Sequence, residues 1–147
     1  MSLRFNPNPE KSKYVSKAGV YVAKLLRFEA AYTQQAEYYA KLTFQTADGE
    51  LVGGLLSTKA DKSGNHSRLN DFMAGTATTA EIEEYLNAGD VEVDESFLEK
   101  ILLRAKGRTL SVDVRSKTYK KKDGTEGTGF EAAFFARLPS GPQSDPF

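Results

Sequence analysis

Residues 108–137 decide the fold, and they read RTLSVDVRSKTYKKKDGTEGTGFEAAFFAR. Apolar side chains occupy every second position near both ends of this stretch: Leu110, Val112 and Val114, then Phe130, Ala132, Phe134 and Ala136. A period of two is typical of half-buried strands, so the stretch predicts strands at residues 108–115 and 128–137. Between them Asp123-Gly124 predicts a tight turn, because glycine tolerates a positive φ and aspartate bonds its own backbone.

The predicted loop at 116–125 leads into that turn with an aromatic residue and three lysines: Tyr119, Lys120, Lys121 and Lys122. A hairpin that offers three ammonium groups and an aromatic ring to solvent is the most suggestive surface feature of the chain. The plain alternative is a solvated turn, since lysine is a residue of exposed surfaces.

Length and composition limit the class of protein. The 147 residues suffice for one domain with its own core, and nine Phe and seven Tyr supply apolar bulk. The absence of cysteine excludes disulfides and thiolate metal sites and favours a reducing compartment. No apolar run approaches the roughly 20 residues of a membrane span, and the N-terminal sequence lacks the apolar core of a signal peptide. We therefore expect a soluble cytoplasmic protein with no membrane partner.

The charges are segregated, although the net charge is zero. Residues 71–99 contain nine acids and no lysine or arginine, which leaves 11 acids against 20 bases elsewhere, a net of +9. A basic body with an acidic insert indicates a polyanionic partner, whereas the acids alone are equally typical of a solvated helix face.

Three further strands are predicted before residue 60, at residues 20–29, 37–46 and 50–58. A loop at 30–36 joins the first two, and a second Asp-Gly turn, Asp48-Gly49, joins the next two. In the second strand the predicted inward residues are Tyr38, Ala40, Leu42 and Phe44. Both faces of the first strand are apolar, which leaves its core face open. Gly53-Gly54 predicts a bulge or sharp bend in the third strand.

The middle of the chain changes to a helical period and predicts three short helices. The first ends at Gly75. Thr78 and Glu81 have the spacing of a capping box for the second. Asp94 is a capping residue for the third, which Gly107 closes.

The elements therefore follow the order of three strands, a helical insert at about residues 64–106, and two strands. A long helical connection between the third and fourth of five strands is typical of an OB-fold, a small barrel that binds oligonucleotides. We predict a mainly β protein with short helices, in which a five-stranded OB-fold barrel spans residues 18–138. A flexible basic segment at 1–17 and a disordered Pro/Gly/Ser tail at 139–147 flank it. An SH3-like barrel and an open meander packed on helices are the structural alternatives.

A family resemblance follows from the body and the tail together. The body at residues 18–137 has AGVY entering the first strand and LRAKGRTLSVDV at 103–114, and the tail after it ends in Asp145, Pro146 and Phe147. Body and tail together resemble phage and bacterial single-stranded DNA-binding proteins. The body in particular resembles a phage group of OB-type proteins near recombination genes. The resemblance implies a protein that coats single-stranded DNA during phage replication or recombination in the bacterial cytoplasm. It also implies that the tail recruits replication or recombination proteins, although this tail has one acid where the family has a run.

Single-strand binding needs cations along the phosphates and exposed aromatic faces for the bases. The candidate stacking residues are Tyr32 in the first loop, Tyr39 on the second strand, and Tyr119. The candidate cations are Lys41, Arg115, Lys117, Lys120, Lys121 and Lys122, with Lys59, Lys62 and Arg68 as an extension of the path. OB-folds bind on the face of strands two and three and between the loops that join strands one to two and four to five. Tyr32, Tyr39, Lys41 and residues 119–122 are predicted to lie there.

No catalytic constellation is visible in the sequence, so we expect a protein that is not an enzyme and uses no cofactor or metal. The glycine pairs lack the spacing of a phosphate-binding loop. A carboxylate set for a metal-dependent nuclease is conceivable at Asp113, Asp123, Glu126 and Glu131, but the predicted turn already explains Asp123.

We therefore predict a sequence-nonspecific single-stranded DNA-binding protein. The helical insert is expected either to cover a barrel end or to mediate self-association. The alternative from another class is a protein-interaction module that binds a replication or host enzyme through its insert and tail, without nucleic acid. RNA binding stays open, because stacking and phosphate contacts serve either polymer.

Overall fold

The computed structural model describes residues 14–139, so the predicted tail residues Asp145, Pro146 and Phe147 lie outside the described range. The five strands are β1 (Gly19–Tyr32), β2 (Tyr38–Thr46), β3 (Leu51–Ser57), β4 (Thr109–Lys120) and β5 (Glu126–Ala136). The helices α1 (Ser67–Thr76), α2 (Thr79–Ala88) and α3 (Glu95–Ala105) lie between β3 and β4. The predicted order of three strands, a helical insert and two strands is confirmed.

The strands close into an uneven barrel in the order β1-β2-β3-β5-β4, and β4 pairs back with β1. Neighbours are antiparallel except β3 and β5, which run parallel and pair at Gly53 with Glu131 and at Gly54 with Ala132. The prediction of a mainly β, barrel-like protein with short helices is confirmed at this level. Packing on the barrel begins within the segment 1–17, because Val15 is buried in the core.

β2 follows its predicted alternation. Its four predicted inward residues are buried: Tyr38, Ala40, Leu42 and Phe44. The turn to β3 also forms as predicted, with Gly49 at a φ of 86° and its amide donating to the Thr46 carbonyl over 2.9 Å. Strict alternation beside a short turn determines both the buried face and the register of a strand, so both could be predicted here.

A bulge in β1 explains part of the apolar pattern on both faces of this strand, although Val20 and Val22 are exposed on its outer face. The pairing with β2 shifts between Leu25 and Arg27. Ala23 and Leu25 face the core before the shift, and Phe28 packs against the core after it. The inward positions therefore change from odd to even numbers, which a constant period of two cannot predict. β1 also continues to Tyr32, so the prediction that Tyr32 lies in a loop is wrong.

The last strand pair is longer than predicted. β4 continues to Lys120 and β5 begins at Glu126, so most of the predicted loop at 116–125 is strand. A second bulge shifts the pairing between Asp113 and Val114. This shift breaks the predicted alternation of β5: Phe135 enters the core at 4% exposure, whereas Phe134 is 57% exposed on the outside.

Two glycines stand where backbones approach closely. A Cβ atom on Gly54 would lie 3.1 Å from the Cβ of Ala132 in β5, and one on Gly75 would lie 3.0 Å from the carbonyl oxygen of Ala136. Of the bulge or sharp bend predicted at Gly53-Gly54, the bulge is absent, since the β2–β3 pairing is continuous from Leu51 to Ser57, and the sharp bend stays a prediction. These glycines instead let β5 approach β3 and close the barrel. Gly75 likewise lies within α1 rather than ending it.

The helical insert packs its apolar side chains into the barrel interior. Phe72 of α1 makes edge contacts with Phe44 and Phe135, with ring centroids 6.5 and 5.4 Å apart. Leu98 and Ile101 of α3 are buried in the same core. The insert therefore covers the barrel, as one of its two predicted roles requires.

The N-terminal ends of α2 and α3 follow their predicted caps. Thr78 and Glu81 form the reciprocal capping box, with the Glu81 amide donating to Thr78 Oγ1 over 3.1 Å and the Thr78 amide donating to Glu81 Oε1 over 3.0 Å. The Phe97 amide donates to Asp94 Oδ1 over 2.9 Å. Of the helices between residues 14 and 139, none has the length and apolarity needed to cross a membrane.

Candidate functional site

Two of the predicted site residues lie side by side on the outside of the barrel. Tyr39 and Lys41 of β2 alternate with the buried residues, and they pair with Ser57 and Leu55 of β3. Side chains of directly paired residues share one face of a sheet, so these four side chains form one outward surface. We call it, together with Phe134 of β5, the outer face.

Phe134 joins the outer face across a groove of about 870 Å³, which lies between the barrel, the loop after β3 and the start of α1. Its walls include Tyr39, Lys41, Leu55, His66, Arg68 and Phe134. The volume is within the range of roughly 300–1,000 Å³ that is usual for ligand sites. The groove therefore brings the exposed Phe134 ring, the half-buried Tyr39 ring and several cations together on one side of the molecule. Three acids, Glu37, Asp61 and Asp71, line the same groove.

Phe134 was missed by the sequence reasoning, although the sequence contains a signal for it. Neighbouring residues of a strand point to opposite faces, so Phe134 and Phe135 cannot both enter the core in a regular strand. One exposed phenylalanine was therefore to be expected in β5. The bulge decides that it is Phe134.

Arg115 lies over Phe134 and is held there by an acid. Its guanidinium carbon is 5.4 Å from the centroid of the Phe134 ring. Its Nε and Nη2 atoms donate hydrogen bonds to the two carboxylate oxygens of Asp113 over 3.0 and 2.9 Å. These bonds hold the pKa of the Asp113 carboxyl below its usual range and raise the pKa of Arg115. Arg115 is thus a fixed guanidinium plane on an aromatic ring, with part of its charge already neutralised.

Lys117 is paired in the same way. Its Nζ atom lies 3.4 Å from Oε2 of Glu131, on the neighbouring strand β5. Two of the six predicted cations therefore have an acidic partner on the same surface. The alternative of a nuclease loses support from this arrangement, since Asp113 and Glu131 are each engaged by a cation.

The three lysines stand at the tip of the β4–β5 hairpin. Lys120 ends β4, and Lys121 and Lys122 enter the turn, which closes through a hydrogen bond from the Lys121 amide to the Thr125 carbonyl over 2.8 Å. All three are exposed, and they form no ion pair with any residue between 14 and 139. The tip is therefore the most strongly positive part of this surface.

Asp123 belongs to the turn itself. Its Oδ1 accepts hydrogen bonds from the hydroxyl and the amide of Thr125 over 2.6 and 3.0 Å. These bonds lower the pKa of the Asp123 carboxyl. The interpretation of Asp123 as a turn residue is confirmed by these contacts.

Tyr119 is part of β4 rather than of a loop, and it is 47% exposed. It pairs with Gly127 and lies on the same side of the hairpin as Arg115 and Lys117. The outward side chains of Arg115, Lys117 and Tyr119 therefore form a row that extends from Phe134 to the lysine tip.

Tyr32 lies elsewhere. It pairs directly with the buried Tyr38, so these two side chains share the face opposite to that of Tyr39. The Tyr32 hydroxyl donates to Oε1 of Glu95 in α3 over 2.8 Å, and this bond raises the pKa of Tyr32. The prediction that Tyr32 shares a face with Tyr39 is wrong, because the strand continues through residue 32 and the ring turns toward the acidic insert.

The residues predicted to extend the cationic path are partly engaged as well. Lys59 Nζ lies 3.6 Å from Oε2 of Glu37. Arg68 donates to the carbonyl of Ala132 and lies over the Phe135 ring, so it fastens α1 to the barrel. Lys62 is exposed in the loop before α1. Of these three, Arg68 has the clearest structural role.

No protein-family model and no curated protein matches the chain. The features of the molecule that bear on its function are therefore the groove, the aromatic rings and the charges of the outer face and the hairpin tip.

Proposed function

We propose that the protein binds single-stranded DNA without sequence preference and coats exposed strands in phage replication or recombination. The observation that carries this proposal is a row of two exposed aromatic rings and one half-buried ring on one side of the barrel, beside lysines that form no ion pair within residues 14–139. Tyr39, Phe134 and Tyr119 lie on that side, and Lys41 and the hairpin tip accompany them. Rings of this kind stack on any base, and ammonium groups follow the phosphates whatever the sequence.

The fold assignment in this proposal is an OB-fold. The strand order β1-β2-β3-β5-β4, the return pairing of β4 with β1 and the helical connection after β3 support it. In an OB-fold the nucleic acid lies on the strand two and three face, beside the loop between strands four and five. The outer face and the lysine tip occupy the corresponding elements of this barrel.

The binding energy in this proposal comes from stacking and from counterion release. Each base that stacks on an aromatic side chain contributes about 1–3 kcal/mol. Each phosphate that meets a lysine releases counterions, which makes the affinity fall with salt by about 0.7 logarithmic units per contact for single strands. Duplex DNA hides its base faces, so it meets only the lysines and binds more weakly.

The test is a titration of fluorescently labelled oligo-dT, oligo-rU and duplex DNA at several salt concentrations, followed by anisotropy. We expect tight binding of the single strands at low salt, a steep decrease with salt, and weaker binding of the duplex. Equal or stronger binding of the duplex, or no binding at low salt, contradicts the proposal. The oligo-rU arm decides between a DNA preference and general single-strand binding.

A charge-reversal variant sharpens this test. Replacing Lys120, Lys121 and Lys122 by glutamate should abolish binding and leave the fold intact, because all three side chains lie in solvent. The matched control replaces Lys24, Lys106 and Arg137 by glutamate. All three are exposed and lie at the opposite end of β4 and β5 from the hairpin tip. An equal loss of affinity for single strands in both variants would mean that binding depends only on the net charge of the protein.

A second function, the binding of a protein partner, is favoured by exposed apolar residues on the insert. Leu86 of α2 is 76% exposed and Leu103 of α3 is 66% exposed. Large apolar side chains in such positions are typical of interaction surfaces when they cluster. The replacement of both residues by serine should leave single-strand binding unchanged if this surface serves a replication or recombination partner or self-association.

A further inference from the structure

The ring of Tyr119 lies on a floor made by two glycines of the opposite strand. Tyr119 pairs with Gly127, and Gly129 lies two residues further along β5. A Cβ atom on Gly127 would lie 2.7 Å from Tyr119 Cζ and 2.9 Å from Cε2. A Cβ atom on Gly129 would lie 3.5 Å from Tyr119 Cε1. The ring therefore spans both glycines and rests on the strand where a side chain would otherwise stand.

A glycine in a strand usually weakens it, because it has no side chain to pack and loses more entropy on folding. An aromatic ring that covers the glycine from the neighbouring strand compensates for this loss. The Lys121 side chain also packs over Gly127, since its Cε atom would lie 2.9 Å from a Cβ atom on that glycine. The ring is thus confined by the hairpin backbone beneath it and by the Lys121 stem beside it, while 47% of the residue stays exposed.

We infer that Gly127 is a positioning residue that holds the Tyr119 ring flat, so that its free face serves as a prearranged stacking platform for a nucleobase. This inference rests on the proposed single-strand binding and names one of its subsites. A ring that is already oriented loses little side-chain freedom when a base stacks on it, which strengthens the contact. The lysines of the hairpin tip then hold the phosphates of the nucleotides next to the stacked base.

The test compares Gly127→Ala with Gly129→Ala. The new methyl group at residue 127 overlaps the Tyr119 ring, which must turn away, whereas the methyl group at residue 129 makes an ordinary van der Waals contact. We expect Gly127→Ala to lower the affinity for oligo-dT about fivefold or more, toward the value for Tyr119→Ala, the size expected for one lost stack. Gly129→Ala should bind like the wild type, and thermal melts of both variants should show a folded protein.

Three further readouts separate positioning from a general effect on the hairpin. The new methyl group also meets Lys121 Cε, but this flexible stem can move aside and keep its ammonium group in solvent. Gly127→Ala should therefore leave the slope of log affinity against log salt unchanged, and tyrosine quenching on binding should decrease. In a Tyr119→Ala background, Gly127→Ala should have no further effect, since the two act through one ring. Tyr119→Phe should keep the affinity.

The outcomes also separate this inference from the function on which it rests. Wild-type protein that fails to bind oligo-dT overturns the proposed function. Wild-type protein that binds, together with Gly127→Ala and Tyr119→Ala variants that bind equally well, overturns the platform and leaves single-strand binding in place. Equal losses in Gly127→Ala and Gly129→Ala also overturn it, because the two substitutions differ in their effect on the ring.

Discussion

Asp113 holds Arg115 through two hydrogen bonds of 3.0 and 2.9 Å, on the surface where a nucleic acid would need that guanidinium. Arg115 is at the same time stacked on Phe134. The acid fixes the plane of the guanidinium over the ring and removes part of its attraction for phosphate. If the protein binds single strands as proposed, Asp113 should therefore weaken the attraction of Arg115 for phosphate and leave its contact with the Phe134 ring in place.

The first prediction concerns this acid. Asp113→Asn should raise the affinity for oligo-dT at low salt roughly two- to fivefold, because an exposed charge pair of modest strength is removed. The slope of log affinity against log salt should become steeper by about 0.7, the value of one added phosphate contact on a single strand. Anisotropy titrations at four salt concentrations measure both quantities.

The control for this variant is Glu92→Gln, which removes one exposed negative charge from the loop before α3. It should change neither the affinity nor the slope. An Asp113→Asn variant that binds more weakly than the wild type would show that the fixed orientation of Arg115 matters more than its charge.

The second prediction concerns Phe134. Phe134→Ala should lower the affinity for single strands about 5- to 150-fold, the equivalent of about 1–3 kcal/mol for one lost stack. The free energy of unfolding should change little, because the side chain is largely in solvent. Oligo-dT titration and urea denaturation of the same preparation measure the two effects.

Leu103→Ala is the matched control, since it truncates an equally exposed apolar residue on the insert. Phe134→Tyr keeps an aromatic ring and should keep the affinity. A loss of affinity in Leu103→Ala of the same size would contradict a specific role of the outer face.

The elements that the sequence predicts well are those that local rules determine. The alternation of β2, the turn at Gly49, the capping box of Thr78 with Glu81 and the cap at Asp94 depend on residues within four positions of one another. Each of them has a short-range physical cause, such as an orphan helix amide or a positive φ.

The features that the sequence did not predict depend on tertiary closure. The bulges in β1 and β4–β5 adjust strand direction to the barrel, and they decide the burial of Phe28 and Phe135. The contacts of Tyr32 with Glu95 in α3 and of Lys117 with Glu131 in β5 also depend on how the barrel closes. Strand register across the barrel is a nonlocal property, so residue types and spacing leave these contacts undetermined.

The third prediction concerns residues 140–147, which lie outside the described range. Removal of these residues should leave the affinity for oligo-dT unchanged or slightly higher, because the Asp145 carboxylate repels phosphate. If the protein is an interaction module instead, this deletion removes its main activity and single strands do not bind in either form. Titration of the full-length and shortened proteins in parallel distinguishes the two functions.

The fourth prediction concerns the ion pair that fastens the insert to β4. Glu81 accepts hydrogen bonds from both Nη atoms of Arg108, and 14% of the Glu81 side chain and 22% of the Arg108 side chain are exposed. Burial raises the pKa of the Glu81 carboxyl, but the bonds from Arg108 and from the Thr78 amide outweigh it, so the pKa is lower than usual. Glu81→Gln preserves the shape of the capping box and should lower the free energy of unfolding by about 1–3 kcal/mol at pH 7.

The pH dependence of this difference follows from the direction of the shift. A carboxyl with a depressed pKa in the folded state stabilises the protein above its unfolded pKa of about 4.3, and this stabilisation is lost as the pH falls through the lower folded pKa. The wild type and Glu81→Gln should therefore differ in urea denaturation at pH 7 and at pH 5, and converge in acid well below pH 4. Glu83→Gln, on the exposed side of the same helix, should match the wild type at every pH. A difference between wild type and Glu81→Gln that persists unchanged in acid would show that the amide disturbs packing rather than the ion pair.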